Sequence, residues 1–327
     1  MSANANDNRP SFFIAGHSKS GTTALAIFLH QHPGLFVCDP EEPNYFCPSF
    51  CRAPGPPSRF FRRSEEEYLA LFDGARPDQL CGEASAAYLY STDAAEEIHR
   101  FDPAARIILI FREPVSFLRS FHLQMLKNTP EEGETVRDLG EAIRLEPERR
   151  AGRCLPDGCL IPELLYYASD RIRYDEHYER FARRFPSDQI LPLIYDDFRT
   201  DNATTVRRVF EFLGVDPEFE PELGEHNIGG QALRSRRAGS LLHKATHARA
   251  VAPLRRALPR RLRRRAIDSA YSRVAFESAG ELDPRVSETI RARAFLHVAA
   301  LGELLERDLV REWGYTGVGS TASVSIV

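Results

Sequence analysis

The chain has 327 residues, of which 43% are hydrophobic and 28% charged, and its formal net charge is −4. That composition can bury a sizeable core, and the slightly negative balance gives no electrostatic case for a nucleic-acid partner. No apolar run approaches the roughly 18–20 residues of a membrane helix. The opening MSANANDNRP also lacks a signal-peptide core, so a soluble, cytoplasmic protein is expected. Six cysteines are present (Cys38, Cys47, Cys51, Cys81, Cys154 and Cys159), with no CxxC pair of the kind zinc sites use. In a reducing compartment they are free thiols, although Cys47–Cys51 and Cys154–Cys159 are each close enough in sequence to bridge under oxidising conditions.

Residues 1–10 are expected to form a disordered tail and 11–315 a single domain with loop and helical insertions. Ser11–Ala15 predicts a strand, and Thr22–His32 a helix that stops at Pro33. Leu35–Cys38 predicts a short second strand, and residues 39–63 an irregular excursion rich in proline and arginine. Glu65–Phe72 predicts a helix. Ala105–Phe111, ARIILIF, is an unbroken apolar run and predicts a buried strand, with a helix starting at Pro114. Residues 128–160 are polar and are expected to be a lid-like insertion. Pro162–Phe185 predicts one long helix, Gln189–Tyr195 a strand, and Asn202–Leu213 a helix closed by Gly214. The last helix is predicted over Pro284–Leu309, and residues 316–327 form a disordered tail. Apolar strands alternating with helices imply an α/β fold: a P-loop-like, doubly wound parallel sheet flanked by helices.

The first functional signal is FIAGHSKSGTTALAIFLHQHP, Phe13–Pro33. A strand, a small-residue loop and a helix start place successive backbone N–H groups around one point. Such a nest binds phosphate through its donors and the positive end of the helix dipole. Gly16 and Gly21 have the separation of a nucleotide-hydrolase loop, GxxxxGK[ST], but Thr22 stands where that loop has lysine. Lys19 lies at the loop crest instead, suited to neutralising charge on a bridging oxygen. The second signal is at the end of the buried strand, where a magnesium-dependent hydrolase needs aspartate and this chain has Arg112. Ligands of doubly wound sheets bind outside the carboxyl ends of strands, so Arg112 belongs to the same crevice as the loop. Its planar fork of donors suits phosphate, and Ser120, about two helical turns onward, can complete the cradle.

KSGTT, followed later by R-E-P with a serine eight residues after the arginine, resembles the sulfotransferases that use 3′-phosphoadenosine 5′-phosphosulfate (PAPS), in their bacterial and carbohydrate-type branch. EEPNYF (Glu41–Phe46) is similar to the KEPxFF element of that branch, and CGEASAAYLY to its GExSPxY segment. FPSDQILPLIYDDF with VFEFLGVDP, and the C-terminal DPRVSETIRARA and LGELLERDLVREW, resemble its later strand and helices. The resemblance covers most of Phe12–Trp313, with five elements in the family's order. Glu41 stands where the family usually has lysine, and Ser18 where it commonly has proline.

The resemblance implies a PAPS-dependent enzyme. Lys19, Ser20, Gly21, Thr22 and Thr23 would hold the 5′-phosphosulfate, and Lys19 would stabilise the leaving oxygen. Arg112 and Ser120 would hold the 3′-phosphate, and 3′-phosphoadenosine 5′-phosphate (PAP) would be the product. Glu42, matching the glutamate of the KEP element, would be the base, with His17 and Glu83 as rivals; His17 more readily shapes the loop. No metal is expected. The acceptor would be a hydroxyl, or less readily an amine, of a small molecule, glycan or lipid. Arg236 is a candidate late contact to the donor. The arginine-rich stretch 249–267 is either a solvated helix face or a weak contact to a membrane surface. The alternatives are a P-loop nucleotide kinase or NTPase, and a non-catalytic anion-binding protein.

Overall fold

The computed structural model describes residues 8–39, 42–51, 63–128, 130–223, 231–233, 276–278 and 281–317. Glu41, Arg236, the 249–267 stretch and most of both expected tails lie outside them. Five parallel strands form the main sheet: β1 (Pro10–Gly16), β2 (Leu35–Val37), β3 (Leu80–Ala84), β4 (Arg106–Phe111) and β5 (Ile190–Ile194), in the order β2-β3-β1-β4-β5. Strands β1 and β4 are apolar on both faces because helices cover both sides. Phe12, Ile14, Ile108, Ile110, Leu191 and Leu193 face one side. There they meet Leu25 and Phe28 of α1 (Thr22–Leu29), with Val206, Val209 and Phe210 from a second helix, Asn202–Leu213. The alternate residues Phe13, Ala15, Ile107, Leu109 and Phe111 face a larger core on the other side.

The remaining helices, in chain order, are α2 (Glu65–Leu69), α3 (Ala94–Phe101), α4 (Pro114–Met125), α5 (Leu139–Arg144), α6 (Glu146–Arg150), α7 (Tyr174–Ala182), α8 (Tyr195–Thr200), α9 (Asn202–Leu213), α10 (Pro284–Leu304) and α11 (Leu309–Glu312). A short antiparallel pair, β6 (Gln231–Leu233) with β7 (Phe276–Ser278), stands apart from the sheet. From β1 the chain leaves through α1 toward β2, whereas from β4 it leaves toward β5 on the opposite side. The carboxyl ends of β1 and β4, paired in register from Phe12↔Arg106 to Gly16↔Ile110, are therefore the switch point where ligand crevices form.

Four expectations are corrected. The first helix ends at Leu29, not His32, because the chain turns back there. His32 Nδ1 accepts from Gly34 N at 3.0 Å, and its Nε2 lies 3.1 Å from the Asp216 carbonyl. The long helix over 162–185 is broken into a 3-10 turn, Pro162–Leu165, and α7. Between them Tyr167, Ala168, Arg171 and Ile172 are all buried, in several directions that one helix face cannot supply. The last helix likewise ends at Leu304, with α11 as a separate turn.

The polar 128–160 segment is, over its described residues, anchored rather than lid-like. Glu134 receives both guanidinium arms of Arg149, at 2.7 and 2.9 Å, and both side chains are wholly buried. The amides of Thr135 and Val136 and the Tyr167 hydroxyl also donate to that carboxylate. A polar composition here conceals an internal ion pair.

Candidate active site

The loop after β1 is bent by two left-handed residues, Lys19 at φ 68° and Gly21 at φ 87°. Gly21 is required there: a Cβ at this position would lie 2.8 Å from the Phe198 ring, in a conformation side chains disfavour. His17 N donates to the Ile110 carbonyl at 3.1 Å, tying the loop to β4, and Ser20 N donates to the His17 carbonyl at 3.0 Å. Helix α1 begins with no side-chain cap, so the positive end of its dipole and its first-turn N–H groups face the loop. The Ser20 hydroxyl is wholly buried and has no hydrogen-bond partner among the described residues. An orphaned buried hydroxyl inside such a nest fits a bound phosphate oxygen.

Arg112 is brought to the same place from 93 residues away. One guanidinium arm donates to the Lys19 carbonyl, and Nε donates to Ser116 Oγ at 2.8 Å. The Tyr195 ring lies 4.5 Å from its charged carbon, and the Tyr174 hydroxyl donates to the Arg112 carbonyl at 2.7 Å. Burial pulls its pKa down, opposed by Tyr195, Asp196 and other neighbours. Ser116 and Ser120 are one turn apart on α4, which puts the nearly buried Ser120 on the stripe that Arg112 contacts. Glu113 caps α4 through the amides of Val115 and Ser116, at 3.0 and 2.7 Å, so it is occupied locally.

Burial lowers the pKa of Lys19, Arg112 lowers it further, and Glu42 raises it. Glu42 is half-buried in a left-handed conformation, φ 58°, with its amide donating to the Ala84 carbonyl at 2.9 Å. The carboxyl end of β3 thus fixes its backbone, and the Glu42 charge acts on the loop lysine. Lys127, at the end of α4, also bears on this crevice: burial, then the charge of Lys19, brings it down to about 8. Sequence reading missed Lys127, which lies in no motif, and gave no role to Tyr195, although it stands within FPSDQILPLIYDDF. Lys127 is signalled only by its position after α4.

The rival bases have other employment. His17 is wholly buried between Phe117 and Tyr174, with ring centroids 4.3 and 4.2 Å away, and burial lowers it to about 3. It is neutral packing beneath the loop. Glu83, also wholly buried, accepts from the hydroxyls of Tyr68 and Tyr88 at 2.7 Å each and of Ser85 at 2.6 Å. Burial raises it to about 7 against those three donors. Ser85 Oγ in turn accepts from Asn44 N at 3.0 Å, so Glu83 organises the segment that carries Glu42.

A family model described as "Sulfotransferase domain" matches residues 95–228, a span that includes Arg112 and Ser120. Human bifunctional heparan sulfate N-deacetylase/N-sulfotransferase 3 is 29% identical over 218 residues, covering 65% of this chain and 23% of the relative. Mouse heparan sulfate glucosamine 3-O-sulfotransferase 6 is 28% identical over 210 residues, covering 63% of this chain and 52% of the relative. The chain therefore spans only a part of these curated relatives. A solved sulfotransferase from Alicyclobacillus acidocaldarius superposes with a TM-score of 0.67 at 25% identity, over 94% of this chain and 99% of that one. The sheet order, phosphate loop and strand-end arginine all agree with these matches: residues 95–228 are similar to the sulfotransferase domain, and the chain is similar in fold to the solved bacterial sulfotransferase.

Proposed function

We propose that the protein transfers a sulfuryl group from PAPS to an acceptor hydroxyl, or secondarily an amine, of a carbohydrate, lipid or secondary metabolite. The observation that carries this reading is the meeting of Arg112 with the Lys19 carbonyl at the β1/β4 switch point, beside the orphaned Ser20 hydroxyl. Two cations and an uncapped helix start at one crevice match a ligand with phosphates at both ends. When bound, PAPS supplies an activated sulfuryl group on a phosphate leaving group. Ser20, Gly21, Thr22 and Thr23 hold the 5′ end through backbone N–H groups and hydroxyls. Arg112 and Ser120 hold the 3′-phosphate, which excludes ATP from productive binding.

Lys19 neutralises the charge that develops on the bridging oxygen, a role of positioning and electrostatics. Glu42 takes the acceptor's proton; the electrostatic influence of Glu42 on Lys19 puts base and counter-charge in one crevice. Lys19 and Arg112 supply the cationic charge that a hydrolase takes from magnesium, so transfer is metal-independent. Arginine at the end of β4 also speaks against the kinase reading. The heparan sulfate relatives favour a sugar acceptor.

Among the described residues no helix is long and apolar enough to cross a membrane. A cytoplasmic setting is part of the proposal, supported by the buried thiols. The test is transfer of labelled sulfate from PAPS to a panel of sugars, sterols, lipids and phenols, read by mass gain, with and without a chelator. Mass gain that survives the chelator supports the reading. Transfer of phosphate from ATP, or none from PAPS to any acceptor class, overturns it.

A further inference from the structure

The segment that carries Glu42 is built around one carbonyl. Asn44 is wholly buried at φ 53°; its amide nitrogen donates to Ser85 Oγ, and its side chain donates to the Glu42 carbonyl at 2.9 Å. The Asn44 carbonyl accepts from two thiols at once, Cys47 Sγ at 3.1 Å and Cys51 Sγ at 2.9 Å. Those sulfurs are 4.0 Å apart, and Cys51 N donates to the Cys47 carbonyl at 3.0 Å, closing one helical turn. Residues four apart on such a turn have Cβ atoms about 5–6 Å apart, so a small approach brings them within disulfide range.

The two thiols differ in access. Cys47 is sealed, whereas Cys51 lines a cavity of about 530 Å³ whose lining includes Arg9, Arg63, Arg100, Glu65 and Glu97. Arg63 also donates to the Pro43 carbonyl, next to Glu42. We propose that Cys47 and Cys51 form a reversible oxidation site, entered through this cavity by a small charged disulfide such as glutathione disulfide, which disables the Glu42 segment. The proposal rests on the functional reading above only for its effect on turnover. The thiols are also electronically unequal: burial raises Cys47, while the contact with Cys47, opposed by burial and helped by Arg63, lowers Cys51. Thiolate character therefore falls on the cysteine that the cavity reaches.

Cys51 thiolate attacks one sulfur of the small disulfide, forming a protein mixed disulfide and expelling one thiolate, which takes up a proton. Cys47 then loses its proton and attacks Cys51 Sγ, forming the Cys47–Cys51 bond and expelling the second thiol. Two protein thiols are oxidised and one disulfide is reduced to two thiols. The bridge removes both S–H donors from the buried Asn44 carbonyl and leaves it only the long 3.4 Å bond from Cys47 N, so the backbone around Glu42 loosens.

The experiment equilibrates the full chain with oxidised and reduced glutathione, maps disulfides by mass spectrometry, and follows amide exchange of residues 42–46 together with sulfuryl transfer. The expected result is a Cys47–Cys51 bond, faster exchange over 42–46, and a fall in transfer of about 10²-fold, the scale of losing a general base, all reversed by dithiothreitol. Cys47→Ser keeps a donor toward Asn44 and should retain the reduced rate. It should arrest at a glutathione adduct on Cys51, while Cys51→Ser should accumulate none. No bridge at any glutathione ratio, or a bridge with unchanged exchange and rate, overturns the proposal. If the reduced protein transfers no sulfate, the functional reading fails, and the mapping and exchange still decide this inference.

Discussion

Replacing Arg112 by alanine tests the central geometry. The guanidinium makes two hydrogen bonds within the protein, to the Lys19 carbonyl and to Ser116 Oγ, and stacks on Tyr195, so its loss also loosens the 5′-phosphate loop. Any nucleotide with a 5′-phosphate feels that loosening, and AMP therefore measures it alone. PAP also loses the contact to its 3′-phosphate. A hydrogen bond to a charged group is worth about 1.5–3 kcal/mol, so the ratio of PAP to AMP affinity should fall about 10- to 150-fold. Arg112→Lys keeps the charge but cannot span Ser116, the loop carbonyl and a phosphate together, and should fall between. Isothermal titration of both nucleotides, with circular dichroism to confirm folding, gives the ratio directly. An unchanged ratio, with both affinities reduced alike, would make Arg112 a loop brace only and remove the 3′-phosphate site from this strand end.

Glu42→Gln should lower kcat by about 10²–10⁴-fold with PAP affinity retained; near-unchanged turnover assigns the base elsewhere. Glu134→Gln leaves the buried Arg149 without a counter-charge and should cost about 3–5 kcal/mol in urea unfolding, whereas a loss below 1 kcal/mol would contradict the burial of the pair. His17 is held neutral to about pH 3 in the folded chain against 6.5 when exposed, so between those values the unfolded state binds the extra proton. Stability should therefore fall as pH drops below 6.5, by about 2 kcal/mol at pH 5 from this group. His17→Phe, which keeps an aromatic between Phe117 and Tyr174, should flatten that part of the curve, while His177, lowered by the same burial, retains its share.

The sequence alone determined whatever is local in chain and chemistry. The apolar run of β4, the glycines and lysine of the loop, the start of α1 at Thr22 and the closure of α9 at Gly214 each follow from neighbouring residues. The loop residues proposed to meet the donor were legible for the same reason, since a phosphate nest is built from consecutive backbone N–H groups. Only the tertiary structure decided which distant groups meet. That Arg112 grips the Lys19 carbonyl depends on β4 lying beside β1. The burial of His17 depends on α4 and α7 closing over the loop. The polar 128–160 segment read as lid-like because composition counts charges without pairing them, and Glu134 and Arg149 cancel each other inside the core. Likewise, a serine and two tyrosines occupy Glu83, one of them fifteen residues away, leaving Glu42 as the carboxylate that faces Lys19.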